Sequence, residues 1–382
     1  MIYLDHAATS WPKPPGVVQA MARFLEEAGG NPGRSGHRLS LAAARTVYGV
    51  RAAVAALANA PDPLGVIFTA NATHALNLAL HGLLGPGTRV VAGGMEHNAV
   101  MRPLRHLEAR GAELVLVPAG PDGSMAPEAF RQAITPGTTL VVLNHASNVT
   151  GTLAPVAEVA ALARAAGALF LVDAAQTLGA LPVDMQALGI DLLAFTGHKG
   201  LQGPPGTGGL VLGPGVDPRR LESLVQGGTG SHSEHETQPE FLPDKFESGT
   251  PNGAGLAGLG AGLAWVAERG PAALHALATD QARFLAEGLR ALPGVRVYGP
   301  EDPARGLAVV SFTVAGWEVS ELGLRLDEEY GVLCRVGLHC APAAHRALGT
   351  CPGGTVRFAP GPMATRADLE AALGAVAELV RG

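Results

Sequence analysis

The sequence predicts an α/β protein, with a mostly parallel seven-stranded sheet between helices and a smaller α+β domain after it. Seven short apolar runs alternate with helix-like segments up to Leu212, which is typical of parallel strands joined by helices. Several runs are rich in Val, Leu and Ile without polar alternation, as expected of strands buried on both faces. A polar, Gly-rich stretch, Gly227–Asn252, then reads as a long loop, and the pattern changes after about Pro271.

Each element is placed from its own run of residues. The predicted strands of the large sheet are Val66–Thr69, Arg89–Ala92, Glu113–Pro118, Thr139–Asn144, Leu169–Asp173, Asp191–Phe195 and Gly209–Leu212. The helices predicted around them are Val17–Glu27, Leu39–Ala58, Thr73–Leu84, Asn98–Arg110, Val156–Ala166 and Gly253–Glu268. Beyond Pro271 we expect helices at Ala272–Leu292, Val319–Tyr330 and Arg366–Arg381, and strands at Val295–Tyr298, Val309–Val314, Val332–Val336 and Thr355–Pro360.

Composition limits the possible classes of function. Hydrophobic residues make up 47% and charged residues 16% of the 382 residues, which favours a sizeable core over disorder. The net charge of −6, without a basic stripe, argues against a nucleic-acid partner. Three cysteines do not suggest a disulfide framework and fit a reducing cytoplasm. We find no signal peptide pattern and no unbroken apolar run of membrane-spanning length, so we expect no membrane partner.

Two strand ends carry side chains that indicate a cofactor. Lys199 follows the apolar run Asp191–Phe195 in a Gly-flanked turn, and Asp173 ends the run Leu169–Asp173. Ligands of such sheets bind at the carboxyl ends of strands. A lysine there can capture an aldehyde, and a desolvated aspartate needs a cation such as a pyridinium N–H. Together they indicate pyridoxal phosphate (PLP), although a surface lysine and a helix N-cap are the alternatives for each residue alone.

The phosphate of such a cofactor has a candidate site at a helix start. Asn71-Ala72-Thr73 opens a helix after the first strand of the sheet, and free N–H groups at a helix N-terminus bind phosphate. Thr196 and His198, in the turn that carries Lys199, would complete the phosphate-binding site. The alternative is that Thr73 only caps the helix.

Three further side chains would contact the cofactor ring or the substrate. Gln176 would hydrogen-bond the phenolic oxygen, and His97 would stack on the ring and shuttle a proton. Arg357 is a charge inside an apolar strand, which a substrate carboxylate would satisfy through two parallel hydrogen bonds. A structural loop histidine is the alternative for His97.

A nucleophile candidate lies in the C-terminal part. Cys340 follows His339 in a stretch that also contains Arg335, and cationic neighbours favour the thiolate, which is the reactive form of a cysteine. A small buried hydrophobic role is the alternative, and it suits Cys334 better. The stretch His232-Ser233-Glu234-His235 superficially suggests metal ligands, but without a third ligand at the usual spacing we expect no metal site.

Eight motifs in order resemble the class V aminotransferase family of fold-type I PLP enzymes, specifically cysteine desulfurases and selenocysteine lyases with a short cysteine loop. They are Tyr3-Leu4-Asp5-His6-Ala7-Ala8-Thr9, Asn71-Ala72-Thr73, Glu96-His97-Asn98, Ser147-Asn148-Val149-Thr150-Gly151, Asp173-Ala174-Ala175-Gln176, Thr196-Gly197-His198-Lys199, Phe246-Glu247-Ser248-Gly249-Thr250-Pro251-Asn252 and Arg335-Val336-Gly337-Leu338-His339-Cys340-Ala341. The resemblance covers nearly the whole chain. We expect a large PLP-binding domain over residues 16–270 and a small domain from residues 1–15 and 271–382.

The resemblance also implies a role for each matched residue. Lys199 would bind the PLP aldehyde and Cys340 would accept sulfur from L-cysteine, which leaves as L-alanine. The implied cofactor contacts are Ala72, Thr73, His97, Asp173, Gln176, Thr196 and His198, with Thr250 reaching in from the partner of a homodimer with shared sites. The implied substrate contacts are Asn148 and Arg357, with His37, Arg335 and His339 nearby.

Other functions remain open on the same residues. The scaffold also suits selenocysteine or cystine lyase chemistry and transamination, neither of which needs the Cys340 thiol. A different class of function is a non-catalytic sulfur-relay or scaffold protein that binds PLP without turnover. A nucleotide-binding oxidoreductase would follow from the alternation of strands and helices alone. For the desulfurase we expect a sulfur-acceptor protein, iron–sulfur cluster assembly as the pathway and a cytoplasmic location.

Overall fold

The computed structural model describes residues 1–33 and 35–381, and for Pro303 only the backbone. The strands are β1 (Ile2–Tyr3), β2 (Val66–Thr69), β3 (Arg89–Gly93), β4 (Glu113–Val117), β5 (Thr138–Asn144), β6 (Leu169–Asp173), β7 (Leu192–Thr196), β8 (Gly208–Leu212), β9 (Val295–Tyr298), β10 (Val310–Val314), β11 (Val332–Leu333), β12 (Arg335–Gly337) and β13 (Thr355–Phe358). The helices are α1 (Val17–Glu27), α2 (Arg38–Ala58), α3 (Ala72–Leu83), α4 (Asn98–Glu108), α5 (Pro127–Ala133), α6 (Val156–Ala165), α7 (Gly253–Arg269), α8 (Pro271–Arg290), α9 (Val319–Tyr330), α10 (Pro342–Leu348) and α11 (Arg366–Arg381).

The large sheet has seven strands in the order β2-β8-β7-β6-β5-β3-β4. Only β8 runs antiparallel to its neighbours, and the other pairs are parallel. Every residue of β6, β7 and β8 is buried, because apolar clusters cover both faces of the sheet. The predicted fold class and the mostly parallel sheet are confirmed. The carboxyl ends of β5, β6 and β7 share one edge, where the predicted site residues lie.

The C-terminal part forms a smaller unit around its own core. β12, β13, β10 and β9 make an antiparallel sheet, and α8, α9 and α11 supply the helical side of its core. The N-terminal strand β1 pairs in parallel with β11, with Ile2 opposite Val332, and Leu4 is buried in the same core cluster. The predicted domain boundaries remain a prediction.

Some short elements escaped prediction. The single strand expected over residues 332–336 is two strands, because β11 pairs with β1 while β12 pairs with β13. The short helices α5 and α10 each begin with a proline. Each has seven residues, too short for a clear helical period.

Among the described residues, one helix, α2, is long and apolar enough by length and composition to cross a membrane, with 21 residues and a mean hydropathy of 1.3. Core helices of globular proteins pass the same test. The inner face of α2 packs into the main core through Val47, Val50 and Val54, and its Arg51 pairs with Glu247. These contacts are those of a core helix.

Candidate active site

The turn after β7 presents Lys199 at the edge of the sheet. The Gly203 N–H donates to the Gly197 carbonyl (2.7 Å), and the Gln202 N–H donates to the Lys199 carbonyl (2.9 Å), which closes the turn on itself. Gly197 is required because a Cβ there would overlap the Thr207 side chain. The turn therefore holds the lysine backbone in one place.

The N-terminal segment braces this turn from outside. The carbonyl of His198, one residue before Lys199, accepts hydrogen bonds from the Ser10 N–H (2.7 Å), the Ser10 hydroxyl (2.9 Å) and the Lys13 ammonium (3.4 Å). Burial lowers the pKa of Lys13 to about 8. The Thr9 hydroxyl also donates to this carbonyl (3.3 Å), and together the four donors fix the peptide that carries the lysine.

Desolvation makes Lys199 a stronger nucleophile at neutral pH. Burial lowers the pKa of Lys199 to about 8, and the charges of Arg357 and Arg335 add to this effect, whereas Asp173 opposes it. A neutral amine is the form that attacks a carbonyl carbon. About a tenth of the Lys199 amine is therefore neutral and reactive at pH 7.

Asp173 ends β6 beside the lysine strand. It is 7% exposed, and its Oδ1 accepts a hydrogen bond from the Ala175 N–H (2.9 Å). Burial raises the pKa of Asp173, an effect that the Ala175 N–H and the charge of Lys199 oppose. A cation placed against this carboxylate would relieve its desolvation.

The start of α3 offers free donors to the same space. Asn71 caps the helix, and its side chain accepts from the His74 N–H (3.0 Å). The N–H groups of Ala72 and Thr73 have no partner within the helix. His198 lines the same cavity, and its buried Nδ1 has no partner among the described residues. This donor set is one that binds a phosphate.

His97 caps α4 and is neutral. Its Nδ1 accepts a hydrogen bond from the Ala99 N–H (3.0 Å), so the ring carries its proton on Nε2. Burial lowers the pKa of His97 to about 4, and the charges of Lys199 and Arg335 add to this effect. The neutral ring lines the cavity.

Arg357 is fully buried and only partly satisfied. It donates to Asp5 Oδ1 (2.5 Å) and to the Asn148 carbonyl (3.0 Å), while its Nε has no partner among the described residues. The Asn148 side chain donates to the His339 carbonyl (2.7 Å), and its Oδ1 is also unpartnered. Both side chains line the cavity, so they offer free hydrogen-bonding capacity to a polar ligand.

Cys340 sits in a strained turn at the mouth of the site. His339 and Cys340 have φ values of 49° and 58°, in the left-handed region that side-chain-bearing residues seldom adopt. The Ala341 N–H closes the turn on the Leu338 carbonyl (2.8 Å), and the Asn98 N–H binds the Cys340 carbonyl (2.8 Å). The Arg335 Nη2 donates to the Cys340 sulfur (3.2 Å). The turn thus holds the exposed thiol against a guanidinium.

His339 does not line the cavity, in contrast to the substrate contact expected of it. Its ring is 2% exposed and lies 2.9 Å from the Thr355 hydroxyl. Burial lowers the pKa of His339 to about 2. The ring therefore anchors the cysteine turn in the small-domain core, and only its backbone carbonyl, through Asn148, reaches the site.

Two predicted residues lie outside the cavity of their own chain. Thr250 is exposed and accepts a hydrogen bond from Asn31 (3.1 Å). His37 is exposed and caps α2, where its Nδ1 accepts from the Ser40 N–H (3.2 Å). Neither is among the lining residues.

The structure corrects one point in the sequence argument against a metal site, namely the lack of a third ligand. His232, Glu234 and His235 lie with their ligand atoms within 4.8 Å of one another, so Glu234 supplies the third ligand that the sequence spacing does not suggest. All three are exposed on the long loop. None of the three lines the cavity described above.

The remaining predicted residues converge on two connected spaces. An inner cavity of about 250 Å³ is lined by Lys199 and, among others, by Ala72, Thr73, His97, Asn148, Asp173, Gln176, Thr196, His198, Arg335 and Arg357. An outer groove of about 540 Å³ includes Cys340 and shares Thr73 and His97 with the inner cavity. Cys340 lines the outer groove, and its sulfur contacts Arg335 of the inner cavity, so the thiol lies at the junction of the two spaces.

The donor set of the inner cavity fits PLP with an amino-acid substrate. A lysine with a lowered pKa can hold the aldehyde, and the desolvated Asp173 lacks the cation that a pyridine N–H supplies. The unpartnered His198 Nδ1 and the start of α3 suit the phosphate. The unpartnered Arg357 Nε suits a carboxylate.

Several residues of the site had no role assigned from sequence. Asp5, Ser10 and Lys13 hold Arg357 and the lysine turn, and the N–H of Asn144, which lines the cavity, donates to Glu96. Asp5 and Glu96 belong to motifs quoted above. For these two acids, the available signal was that each belongs to a family motif.

Comparisons with known proteins agree with this geometry. The family model for aminotransferase class V matches residues 2–372. A probable cysteine desulfurase of Methanothermobacter thermautotrophicus is 36% identical over 360 residues, covering 93% of this chain and 89% of the relative. A cysteine desulfurase of Klebsiella pneumoniae is 35% identical over 357 residues, covering 89% of this chain and 84% of the relative.

Solved structures show the same architecture. The apo structure of the cysteine desulfurase from Thermococcus onnurineus superimposes with a TM-score of 0.93 at 32% identity, covering 100% of this chain and 95% of the other. The Escherichia coli cysteine desulfurase CsdA superimposes with a TM-score of 0.88 at 30% identity, covering 99% and 94%. By its sequence, its sheet and its PLP-compatible site, this chain belongs to the aminotransferase class V family of PLP-dependent enzymes.

Proposed function

We propose that this chain is a PLP-dependent cysteine desulfurase that converts L-cysteine to L-alanine and takes the sulfur onto Cys340. One contact carries the proposal. Arg335 lines the cavity that contains Lys199, and its Nη2 donates to the Cys340 sulfur. A thiol held at this junction has no use in transamination, whereas sulfur transfer requires it as the acceptor. Relatives and solved neighbours named as cysteine desulfurases support the same activity.

Different side chains of the cavity bind the substrate, hold the cofactor and move the proton. When bound, PLP withdraws electrons from the substrate Cα and so weakens the bonds around it. Arg357 binds the substrate carboxylate through the Nε–H that has no partner among the described residues, and Asn148 donates the second hydrogen of its Nδ2. Lys199 holds the cofactor aldehyde and then moves the α-proton, because its amine exchanges a proton near pH 8. His97, neutral and protonated on Nε2, lines the same wall.

Sulfur transfer needs no outside oxidant. The Cys340 thiolate attacks the substrate sulfur, so an S–S bond forms as the Cβ–S bond breaks. The electron pair of that bond stays on the substrate carbon, which takes up a proton and leaves as the methyl group of alanine. Cys340 is left as a persulfide, with the charge of Arg335 beside it.

The test measures both products. Purified holoenzyme is mixed with L-cysteine, and alanine and reductant-released sulfide are followed with the absorption spectrum. We expect Cys340→Ala to lose sulfide release by at least about a hundredfold while keeping the bound-cofactor spectrum. Cys351→Ala is the matched control, since Cys351 is also exposed but lines neither space. Undiminished sulfide from the Cys340 variant contradicts the proposal, and selenide release from selenocysteine that survives in it favours a lyase.

The active form is a homodimer in this proposal. Thr250 and His37 are exposed in the single chain, although the family resemblance expects both near an active site. Exposed apolar side chains of α1 and α2, such as Val18, Leu25 and Tyr48, offer surface for a second copy. Light scattering tests the assembly, and mixing Thr250→Ala with Lys199→Ala chains tests whether one intact site forms across the two.

The sulfur then passes to a protein acceptor in a cytoplasmic iron–sulfur assembly pathway. The outer groove beside Cys340 supports this part, because an acceptor thiol can reach the persulfide from that side without entering the inner cavity. Incubating the ³⁵S-labelled persulfide enzyme with candidate acceptors tests it. Label that moves only to small thiols contradicts a protein acceptor.

A further inference from the structure

Glu96 is a buried acid that the proposed reaction leaves without a role. It is 0% exposed. Its Oε1 accepts a hydrogen bond from the Asn144 backbone N–H at the end of β5 (2.8 Å). Its Oε2 is buried and, among the described residues, has no partner. One oxygen of this carboxyl group is therefore satisfied and the other is not.

Among the residues that the structure describes, no cation acts on Glu96. Asp173, at the end of β6 and two strands away from β3 in the sheet, repels a negative charge on Glu96. Burial lowers the pKa values of the adjacent imidazoles, His97 and His145, to about 4, so both rings are neutral near pH 7. The charge of Lys199 acts on Asp173 and not on Glu96. An ionised Glu96 would thus be desolvated, repelled and unpaired.

When two acids share a buried site, ionising the second one costs additional free energy because the two negative charges repel. Asp173 has the attraction of Lys199 and the N–H of Ala175. Burial raises the pKa of Glu96 well above its usual value, Asp173 adds to this, and the N–H groups of Asn144 and Gly93 oppose it. The negative charge therefore belongs on Asp173 and the proton on Glu96.

We propose that Glu96 is a neutral carboxylic acid that acts as a positioning residue, with its Oε2–H donating to the Asn144 side-chain oxygen. Asn144 Oδ1 is buried and, in the described chain, lacks a donor, and Asn144 already binds the other oxygen of Glu96 through its N–H. Asn144 lines the cavity beside Asp173. The arrangement ties the end of β5 to the residue before His97 without adding a second negative charge near the ring nitrogen site.

Infrared spectroscopy of the holoenzyme tests the protonation directly. Wild-type enzyme labelled with ¹³C at the glutamate side-chain carboxyl is compared with unlabelled enzyme from about pH 6 to pH 9, where exposed carboxylates are ionised. We expect a protonated-acid C=O band that moves with the label, persists across this range and is missing from Glu96→Gln. Absence of a label-sensitive band in the wild type overturns the proposal, whether or not the variant folds.

The pH dependence of stability gives a second readout. Glutamine keeps the shape and donor of a neutral acid, but the unfolded wild type releases a proton that glutamine lacks. The ratio of the unfolding constants, wild type over Glu96→Gln, should therefore grow about tenfold per pH unit above about pH 5. Glu158→Gln, at an exposed glutamate of α6, is the control and should give a constant ratio. A constant ratio for Glu96→Gln also overturns the proposal.

Discussion

Replacing Arg357 with lysine should raise the KM for L-cysteine while the cofactor stays bound. The guanidinium already donates to Asp5 and to the Asn148 carbonyl, and its buried Nε has no partner in the described chain. Nε and a neighbouring Nη hydrogen form the fork that a carboxylate accepts. A lysine ammonium keeps the charge but cannot present two parallel N–H groups in one plane.

The size of the effect follows from one lost charge-assisted hydrogen bond. Such a bond is worth about 1.5–3 kcal/mol, which corresponds to a factor of about 10 to 100 in affinity. The carboxylate keeps its place during the reaction, so the loss is the same in the ground state and in the transition state. We therefore expect KM to rise by about this factor and kcat to change little.

The assay is alanine formation over a range of L-cysteine concentrations. The absorption spectrum reports the bound cofactor, and Arg366→Lys, at an exposed arginine paired with Glu370, serves as the control for an arginine-to-lysine change. A Arg357→Lys enzyme that retains its cofactor and shows an unchanged KM would refute the assignment of Arg357 to the substrate carboxylate. A fall in kcat alone would point to a role in the chemical step instead.

Three further predictions concern the cofactor and the fold. Because the pKa of Lys199 is lowered to about 8, the rate at which the apoprotein captures the cofactor should rise about tenfold per pH unit below pH 8 and level off above it. A rate that does not change with pH, measured by stopped-flow absorbance, would argue against this lowered pKa. Glu247 pairs through both oxygens with Arg51, which is 4% exposed, so Glu247→Gln should lower the free energy of unfolding by about 3–5 kcal/mol, and a urea titration that finds no loss contradicts this. A Cβ on Gly208 would come within 2.6 Å of the backbone before α3, so Gly208→Ala should weaken PLP binding by at least about tenfold, whereas Gly374→Ala, in open space, should not.

Local sequence patterns were enough to predict the large sheet and one wall of the site. Lys199 and Asp173 each follow an uninterrupted apolar run, and the carboxyl ends of parallel strands meet at one edge. Their neighbourhood therefore follows from strand direction alone. The helix start at Ala72 was likewise visible from its capping residue, because the capping contact from Asn71 to His74 is local.

Contacts between distant segments were not predictable in this way. Arg357 was identified as a buried cation that needs an anion, but its partner in the free chain, Asp5, lies 352 residues away. The ring of His339 was expected near the substrate, yet the left-handed turn points it to Thr355 in the core. Neither hydrophobic periodicity nor the motif predicts the direction in which a side chain of such a turn points.

The sequence by itself determined the α/β class and the family, and it predicted which residues would hold a PLP-type cofactor, because burial periodicity, strand-end chemistry and the family motifs are all properties of neighbouring residues. The tertiary structure decided which of those residues share a cavity, how Arg335 links the Cys340 thiol to it, and that the buried Glu96 and Asp173 lie close enough for their negative charges to repel. Those outcomes depend on distances and desolvation between separated segments, which exist only once the chain is packed.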